Sequence, residues 1–393
     1  MKIAEVKPYV IATPRPHHGG RYWLLVKLIA DNGIEGIGEA YKVPFHPLTV
    51  ERMLHDYGET YFVGQDPFQI EKLWRVVYYG DGYERNDHHQ HPDHAVLGVL
   101  SALEMACWDI IGKALDQPVY NLLGGKFHDR LRSYTYLYGD PDDPRRRSPH
   151  TDPEIAGDRA LHYLKEGFTA VKFDPLINVM GNLDPREPPL DLLDNAEAVV
   201  RSVREAVGGK CDILIGTHGQ STTSGTLRFA RRIEQFDPLW FEEPVPPENR
   251  DELARVAATT TIPVASGERL STKYEFRELL EKQAAQILQM ALGRVGGILE
   301  AKKIAGMAEA YYAQIAPHLY CGPIEAAANI QVDTCSPNFL IQESIGKFDG
   351  FHAEILEKPI TWEDGYIIPP TEPGLGVVLN EEVAEAHRYR SET

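Results

Sequence analysis

From Leu131 onward, short apolar runs alternate with amphipathic helical segments, and this alternation constrains the fold more than any other feature of the chain. Strands that alternate with helices form a parallel sheet with right-handed crossovers. Eight runs read as strands, at 131–137, 170–173, 212–216, 238–242, 263–266, 286–292, 313–317 and 339–343. Eight strands predict a closed barrel, and no glycine-rich phosphate fingerprint follows the first strand, which disfavours an open doubly wound sheet.

Residues ahead of Leu131 follow a different pattern, in which hairpin strands flank the turn at Asp31-Asn32-Gly33 and a long apolar helix covers 95–115. A histidine-rich stretch at 86–94 is interpreted as a polar loop in preference to a second metal site.

Charge and cysteine content exclude several classes of function. The 393 residues include 58 acidic and 40 basic side chains, and the net charge of −18 disfavours nucleic acid or an anionic membrane as partner. No run of 18 apolar residues predicts a membrane span, and the N-terminus alternates like a strand without a signal-peptide core. The four cysteines are far apart and match neither a disulfide framework nor a zinc pattern. We therefore predict a cytoplasmic protein.

Polar side chains stand at the ends of six of the eight predicted strands. The active site of such a barrel lies at the carboxyl ends of its strands. One such acid alone commonly caps a helix or faces solvent, but six strand ends at one rim predict a site. The residues concerned are Lys172, Asp174, His218, Glu242, Glu268, His318 and Glu343.

Two or three carboxylates on adjacent strands suit a hard cation such as Mg²⁺. A metal there stabilises the enolate that forms when a proton leaves the carbon beside a carboxylate. Lys172 and Asp174 stand at i and i+2 and therefore share one face of their strand. Lys172 and His318 are candidates to flank the substrate as acid and base.

Several short motifs occur in order along nearly the whole chain: GIEGIGE at 33–39, ALEMACWD at 102–109, LLGG at 122–125, WFEEP at 240–244, SGER at 266–269, GRVGG at 293–297, APH at 316–318 and PGLG at 373–376. With these motifs the chain resembles the mandelate racemase-like branch of the enolase superfamily. The resemblance implies a (β/α)7β barrel over 129–348. It also implies an α+β capping domain over 1–128, a tail (349–393) that returns to this domain, and a homo-oligomer.

The resemblance implies three metal-binding carboxylates, one each from barrel strands three, four and five. Glu242 and Glu268 match the second and third, but Gly216 stands where the family has Asp. Asp174 on the neighbouring strand, His218 or a water molecule is left to complete the set. We favour Asp174, because Mg²⁺ prefers oxygen ligands.

Two further departures concern the acid and base groups. The branch supports its strand-seven histidine with an Asp at the end of strand six, where this chain has Ala291. Without it His318 is less basic and less firmly oriented, unless it finds another partner or serves as a hydrogen-bonding group. Racemases of the branch carry Lys-x-Lys on strand two, whereas this chain has Lys172-Phe173-Asp174, which disfavours a two-base racemase.

Sugar-acid dehydratases of the branch place a histidine two residues after the strand-three ligand, where His218 stands. The resemblance therefore implies a Mg²⁺-dependent hydro-lyase that converts an aldonate or aldarate to a 2-keto-3-deoxy acid. In this hypothesis His318 is the base that takes the C2 proton, and His218 is the acid that protonates the 3-hydroxyl. Glu242, Glu268 and Asp174 bind the metal in this hypothesis. Lys172 and Glu343 bind the substrate, and Lys172 is also a catalytic residue.

Two alternatives stay open. A sugar-acid isomerase, epimerase or cycloisomerase forms the same enolate and needs no acid at the 3-hydroxyl. A non-catalytic relative that only binds a sugar acid is favoured by Gly216 and Ala291. The retained lysine, histidines and glutamates at the strand ends speak against this second alternative.

Overall fold

The N-terminal part of the chain forms a three-stranded antiparallel sheet in the order β1-β2-β3, with β1 at Ile3–Ala12, β2 at Tyr22–Ala30 and β3 at Glu35–Ala40. The computed structural model describes residues 1–41, 45–79, 94–143, 146–177 and 185–390. The hairpin predicted at Gly33 is confirmed, because this glycine has a φ of 83° and the chain reverses there between β2 and β3. Most of the histidine-rich stretch, 86–93, lies outside the described residues.

Within the described residues, four α-helices and a short π-helix (Gly58–Phe62) follow this sheet. The α-helices are α1 (Pro47–Tyr57), α2 (Ile70–Tyr79), α3 (His94–Ala114) and α4 (Val119–Leu122). Helix α3 packs closely against β3, where Gly36 and Gly38 face the carbonyls of Ala106 and Ala102. In the described part of the chain, α3 is the one helix whose length and composition would suit a membrane span, and 94% of its apolar window is buried inside the protein. It is placed as the core helix of this unit.

Eight parallel strands form the central barrel. Consecutive strands pair from β4 to β10, and β11 pairs with β4, while Ile315 of β10 bridges to Phe339 just before β11. The sheet is therefore closed, and the predicted (β/α)7β barrel is confirmed. The strands are β4 (Leu131–Tyr136), β5 (Ala170–Phe173), β6 (Asp212–Gly216), β7 (Trp240–Glu242), β8 (Val264–Ser266), β9 (Ile287–Leu288), β10 (Gln314–Ile315) and β11 (Gln342–Ser344).

Helices surround the barrel between these strands. The side chains of Asp152, Thr222 and Asn249 each cap the start of one of them by accepting a hydrogen bond from a backbone N–H. The helices are α5 (Pro153–Lys165), α6 (Leu190–Val207), α7 (Thr223–Ile233), α8 (Arg250–Ala257), α9 (Thr272–Glu281), α10 (Leu292–Val295), α11 (Ile298–Ala310) and α12 (Pro323–Thr334). The sequence analysis did not assign α12, which is buried on every side and so has no amphipathic pattern.

The tail contacts both the barrel and the N-terminal part. It contains α13 (Phe351–Glu354), β12 (Trp362–Glu363), β13 (Tyr366–Ile367) and α14 (Glu381–Ala386), and β13 pairs antiparallel with β4. The backbone N–H of Leu375 donates to Asp109 Oδ1 in α3 at 2.9 Å, and that of Tyr389 donates to the carbonyl of Val10 in β1 at 2.7 Å. These contacts hold the tail against α3 and β1.

Candidate active site

The carboxyl ends of the barrel strands open into a cavity of about 610 Å³. Five of the predicted site residues line it: Lys172, His218, Glu268, His318 and Glu343. The other two do not line the cavity but contact residues that do: Asp174 contacts His218, and Glu242 contacts Lys172. The rim therefore brings all seven predicted residues together. The cavity is also lined by side chains that were not among the predicted site residues: Tyr41, Tyr136, Tyr138, Arg146, Arg147, His150 and Tyr320.

Lys172 lies near the end of β5 and is only 1% exposed. Its Nζ donates to Glu242 Oε1 and lies 3.7 Å from Glu343 Oε1. Burial lowers the pKa of this ammonium, but the charges of the two glutamates outweigh burial and raise the pKa well above its usual value. Lys172 is therefore a fixed positive charge beneath the cavity.

Glu242 at the end of β7 is held on both carboxylate oxygens. Lys172 contacts Oε1, and Gln289 Nε2 donates to Oε2 at 2.7 Å. Gln289 directly follows β9, so donors from two other strands hold this one carboxylate. A carboxylate bound in this way is a structural partner of the lysine.

His218 follows β6 with a φ of 50°, a left-handed backbone conformation that turns its ring toward β5. Its Nδ1 lies 2.6 Å from Oδ2 of the buried Asp174, and 42% of its side chain is exposed toward the cavity. Burial lowers the pKa of the imidazole, but the hydrogen bond with Asp174 and the charge of Glu268 raise it to about 9. His218 therefore carries a proton at neutral pH.

His318 follows β10, with a hydrogen-bond partner at Nε2 and two carboxylates close to Nδ1. Nδ1 lies 2.9 Å from Glu343 Oε2 and 3.3 Å from Glu268 Oε2, and Nε2 lies 3.0 Å from the phenol oxygen of Tyr41. Burial lowers the pKa of His318, but the two carboxylates outweigh burial and raise it. Glu343 thus gives His318 the carboxylate partner that Ala291 does not supply.

Two of the lining residues outside the predicted set, Tyr41 and His150, contact predicted site residues directly. Tyr41 follows β3 in the N-terminal part, and no pattern in the sequence relates it to His318. His150 accepts a hydrogen bond on Nδ1 from the backbone N–H of Asp174 at 3.2 Å. Burial and the charge of His218 lower the pKa of His150 to about 4, so this imidazole is neutral.

The resemblance implies Mg²⁺, but the donor set does not fit a three-carboxylate metal site. Both oxygens of Glu242 and one oxygen of Asp174 already accept hydrogen bonds, and Gly216 offers no side-chain donor. One buried oxygen each of Asp174 and Glu268 has no hydrogen-bond partner. Within the described ranges, no three side chains of His, Cys, Asp or Glu come together as a metal-holding group.

Two family models match the chain. Residues 156–383 match the enolase C-terminal domain-like model, and residues 3–124 match the mandelate racemase/muconate lactonizing enzyme N-terminal domain. Together they cover the N-terminal unit and the barrel from α5 onward, while β4 lies between the two matches.

Related proteins cover nearly all of the chain. It is 37% identical over 388 residues to a D-galactonate dehydratase of Ralstonia nicotianae, covering 97% of this chain and 93% of that protein. It is 33% identical over 384 residues to a D-xylonate dehydratase of Haloferax volcanii, covering 95% and 87%. A solved structure from Labrenzia alexandrii, assigned to the mandelate racemase/muconate lactonizing enzymes, is 55% identical with a TM-score of 0.94, covering 100% and 98%. The chain therefore belongs to the mandelate racemase/muconate lactonizing enzyme family of the enolase superfamily.

Proposed function

We propose that the protein is a sugar-acid dehydratase, a hydro-lyase that converts an aldonate or aldarate to a 2-keto-3-deoxy acid. The observation that carries this proposal is the pair of histidines on one cavity, His218 after β6 and His318 after β10. Each imidazole lies beside a carboxylate, so each ring is oriented and tuned for proton transfer. The names of the dehydratases to which the chain is similar support the same reaction.

His218 serves as the acid in this proposal. The carboxylate of Asp174 holds Nδ1 at 2.6 Å, which leaves Nε2 free to donate a proton in the cavity. A protonated imidazole at this place gives its proton to the departing 3-hydroxyl, so that the leaving group is water. This role needs the hydrogen bond with Asp174, because that bond fixes the orientation of the ring.

His318 serves as the base. The phenol of Tyr41 is hydrogen-bonded to Nε2, and the carboxylate of Glu343 lies 2.9 Å from Nδ1. The positive charge that forms on the imidazole is stabilised by Glu343 and Glu268. Lys172 and Glu343 remain the proposed contacts to the substrate at the floor of the cavity.

The test is incubation of the full-length protein with a library of sugar acids in D₂O, followed by mass spectrometry. We expect a product lighter by one water from at least one sugar acid, and its loss in both His218→Asn and His318→Asn. Deuterium uptake without water loss, retained in His218→Asn, supports an isomerase or epimerase instead. Binding of a sugar acid without deuterium uptake supports a non-catalytic relative.

The setting of the enzyme is part of the same proposal. A small-molecule sugar acid is the substrate, the protein forms a homo-oligomer, and it works in the cytoplasm without nucleic acid or membrane as partner. A reducing compartment is supported by the four cysteines, which are all buried free thiols. Mg²⁺ is the cofactor that the family resemblance implies, and the donor set described above does not fit it.

A further inference from the structure

The space beside Gly216 is occupied by another side chain. A Cβ atom built on this glycine would lie 3.3 Å from Lys172 Cε and 3.9 Å from the Cβ of Asp174. The first distance is tighter than ordinary van der Waals contact. The contact is with the far end of a flexible side chain, so an aspartate at 216 would require Lys172 Cε to shift by a few tenths of an ångström. Its carboxylate would then lie next to the lysine side chain.

Lys172 supplies a positive charge to the glutamates of this rim. Its Nζ contacts Glu242 and lies 3.7 Å from Glu343, and the side chain is 1% exposed. A buried carboxylate needs a partner of opposite charge, and the ammonium supplies it here. The positive partner of the Glu242 carboxylate in this structure is thus a lysine side chain.

A positive charge is what the proposed reaction requires at this place. When the C2 proton leaves, negative charge collects on the carboxylate oxygens of the substrate, and fixed positive charges in a site shielded from water stabilise it. Lys172 lines the cavity together with His318. The imidazolium that forms when His318 takes the proton adds a second positive charge on the same rim.

We propose that the buried ammonium of Lys172 replaces the divalent metal in this chain, so that the enolate is stabilised by the lysine and no metal ion is required. This proposal rests on the function proposed above. The C2–H bond breaks as His318 takes the proton, and the electron pair enters the C1–C2 bond. It then forms the C2–C3 double bond as the C3–O bond breaks. His218 supplies the proton that completes the leaving water. The enol then loses the proton of its C2 hydroxyl and gains one at C3 to give the 2-keto acid, without any oxidant.

The first test measures metal binding without any substrate. Mn²⁺ takes the same oxygen ligands as Mg²⁺ and is detected by its electron paramagnetic resonance signal. We expect the metal-free full-length protein to bind Mn²⁺ with a dissociation constant weaker than about 1 mM. Stoichiometric binding at micromolar Mn²⁺ would overturn the proposal.

A double variant that exchanges the lysine ammonium for a carboxylate gives a direct comparison of Mn²⁺ affinity. The double substitution Gly216→Asp with Lys172→Met restores a carboxylate and removes the competing ammonium. We expect it to bind Mn²⁺ at least about tenfold more tightly than the unchanged chain. Lys113→Met is the matched control, because it removes the ammonium that lies 2.7 Å from the buried Asp109, and neither residue lines the cavity. Equal Mn²⁺ affinity in the double variant and the unchanged chain would contradict the proposal.

The second test measures turnover with the sugar acid found in the D₂O screen. Dialysis against a chelator is expected to leave the rate within about twofold, Lys172→Met to lower kcat at least about a hundredfold, and Lys172→Arg to retain part of it. Turnover that is lost on chelation and restored by Mg²⁺ overturns the lysine proposal and leaves the dehydratase intact. Absence of water loss with and without Mg²⁺ contradicts the dehydratase, while the Mn²⁺ titration still tests Lys172.

Discussion

The phenol oxygen of Tyr41 lies 3.0 Å from Nε2 of His318, so a residue that follows β3 in the N-terminal sheet holds the proposed base of the barrel. The backbone N–H of Tyr41 donates to the carbonyl of Gly293 at 2.9 Å, which fixes the tyrosine against the barrel. The site therefore depends on contact between the two parts of the chain.

Replacing Tyr41 by Phe tests this dependence. The change removes one hydrogen bond from His318 and leaves the ring in place, so we expect kcat to fall about fivefold, as for a loss of about 1 kcal/mol. KM is expected to stay nearly constant, because the phenol acts through the histidine. Steady-state kinetics on the dehydration substrate measure both values. An unchanged kcat would show that His318 does not rely on Tyr41.

The pH dependence of turnover follows from the two histidines. Burial lowers the pKa of His218, but Asp174 and Glu268 raise it to about 9, and this acid must be protonated. Burial also lowers the pKa of His318, but Glu268 and Glu343 raise it above its usual value, and this base must be unprotonated. Activity should therefore rise with pH through the pKa of His318 and fall above about 9. A profile of kcat/KM against pH with its maximum below neutrality would contradict these assignments.

Asp174 is expected to set the alkaline limb of that profile. Asp174→Asn removes the charge that holds Nδ1 of His218, so burial then dominates and the pKa of His218 should fall by about 1–2 units. The imidazole proton signals of His218, followed by NMR across the titration, measure this pKa directly.

Asp174 was also a predicted metal ligand, and the same variant separates the two roles. If it holds a metal, Asp174→Asn weakens Mg²⁺ affinity, and this can be measured by calorimetry without substrate. A shifted His218 pKa with no change in Mg²⁺ binding would assign Asp174 to the histidine alone.

The barrel and most of its rim could be predicted because both depend on local patterns. The bounds of β5 and β6 match the predicted strands at 170–173 and 212–216. Strand ends carry their side chains to one rim by topology, so the positions of Lys172 and His318 follow from the sequence alone.

Contacts between distant segments could not be predicted in this way. Tyr41 and His318 are separated by 277 residues, and no periodicity relates a residue after one strand to a histidine in another part of the chain. Glu343 was predicted only to bind substrate. Its position 2.9 Å from His318 Nδ1 was missed for the same reason. Which carboxylate pairs with which basic side chain depends on side-chain packing. The pairs Lys172–Glu242 and His318–Glu343 are examples.

The final prediction concerns the packing of β3 on α3, which supports the segment that carries Tyr41. A Cβ at Gly38 would lie 1.9 Å from the carbonyl oxygen of Ala102, so Gly38→Ala should destabilise the protein by about 3 kcal/mol. The matched control is Gly306→Ala, since Gly306 is exposed within α11 and nothing lies within 4 Å of a Cβ there. That change should stabilise the protein by about 0.5–1 kcal/mol. Thermal unfolding of both variants checks the signs, and a neutral Gly38→Ala would mean that β3 moves away from α3 at little cost.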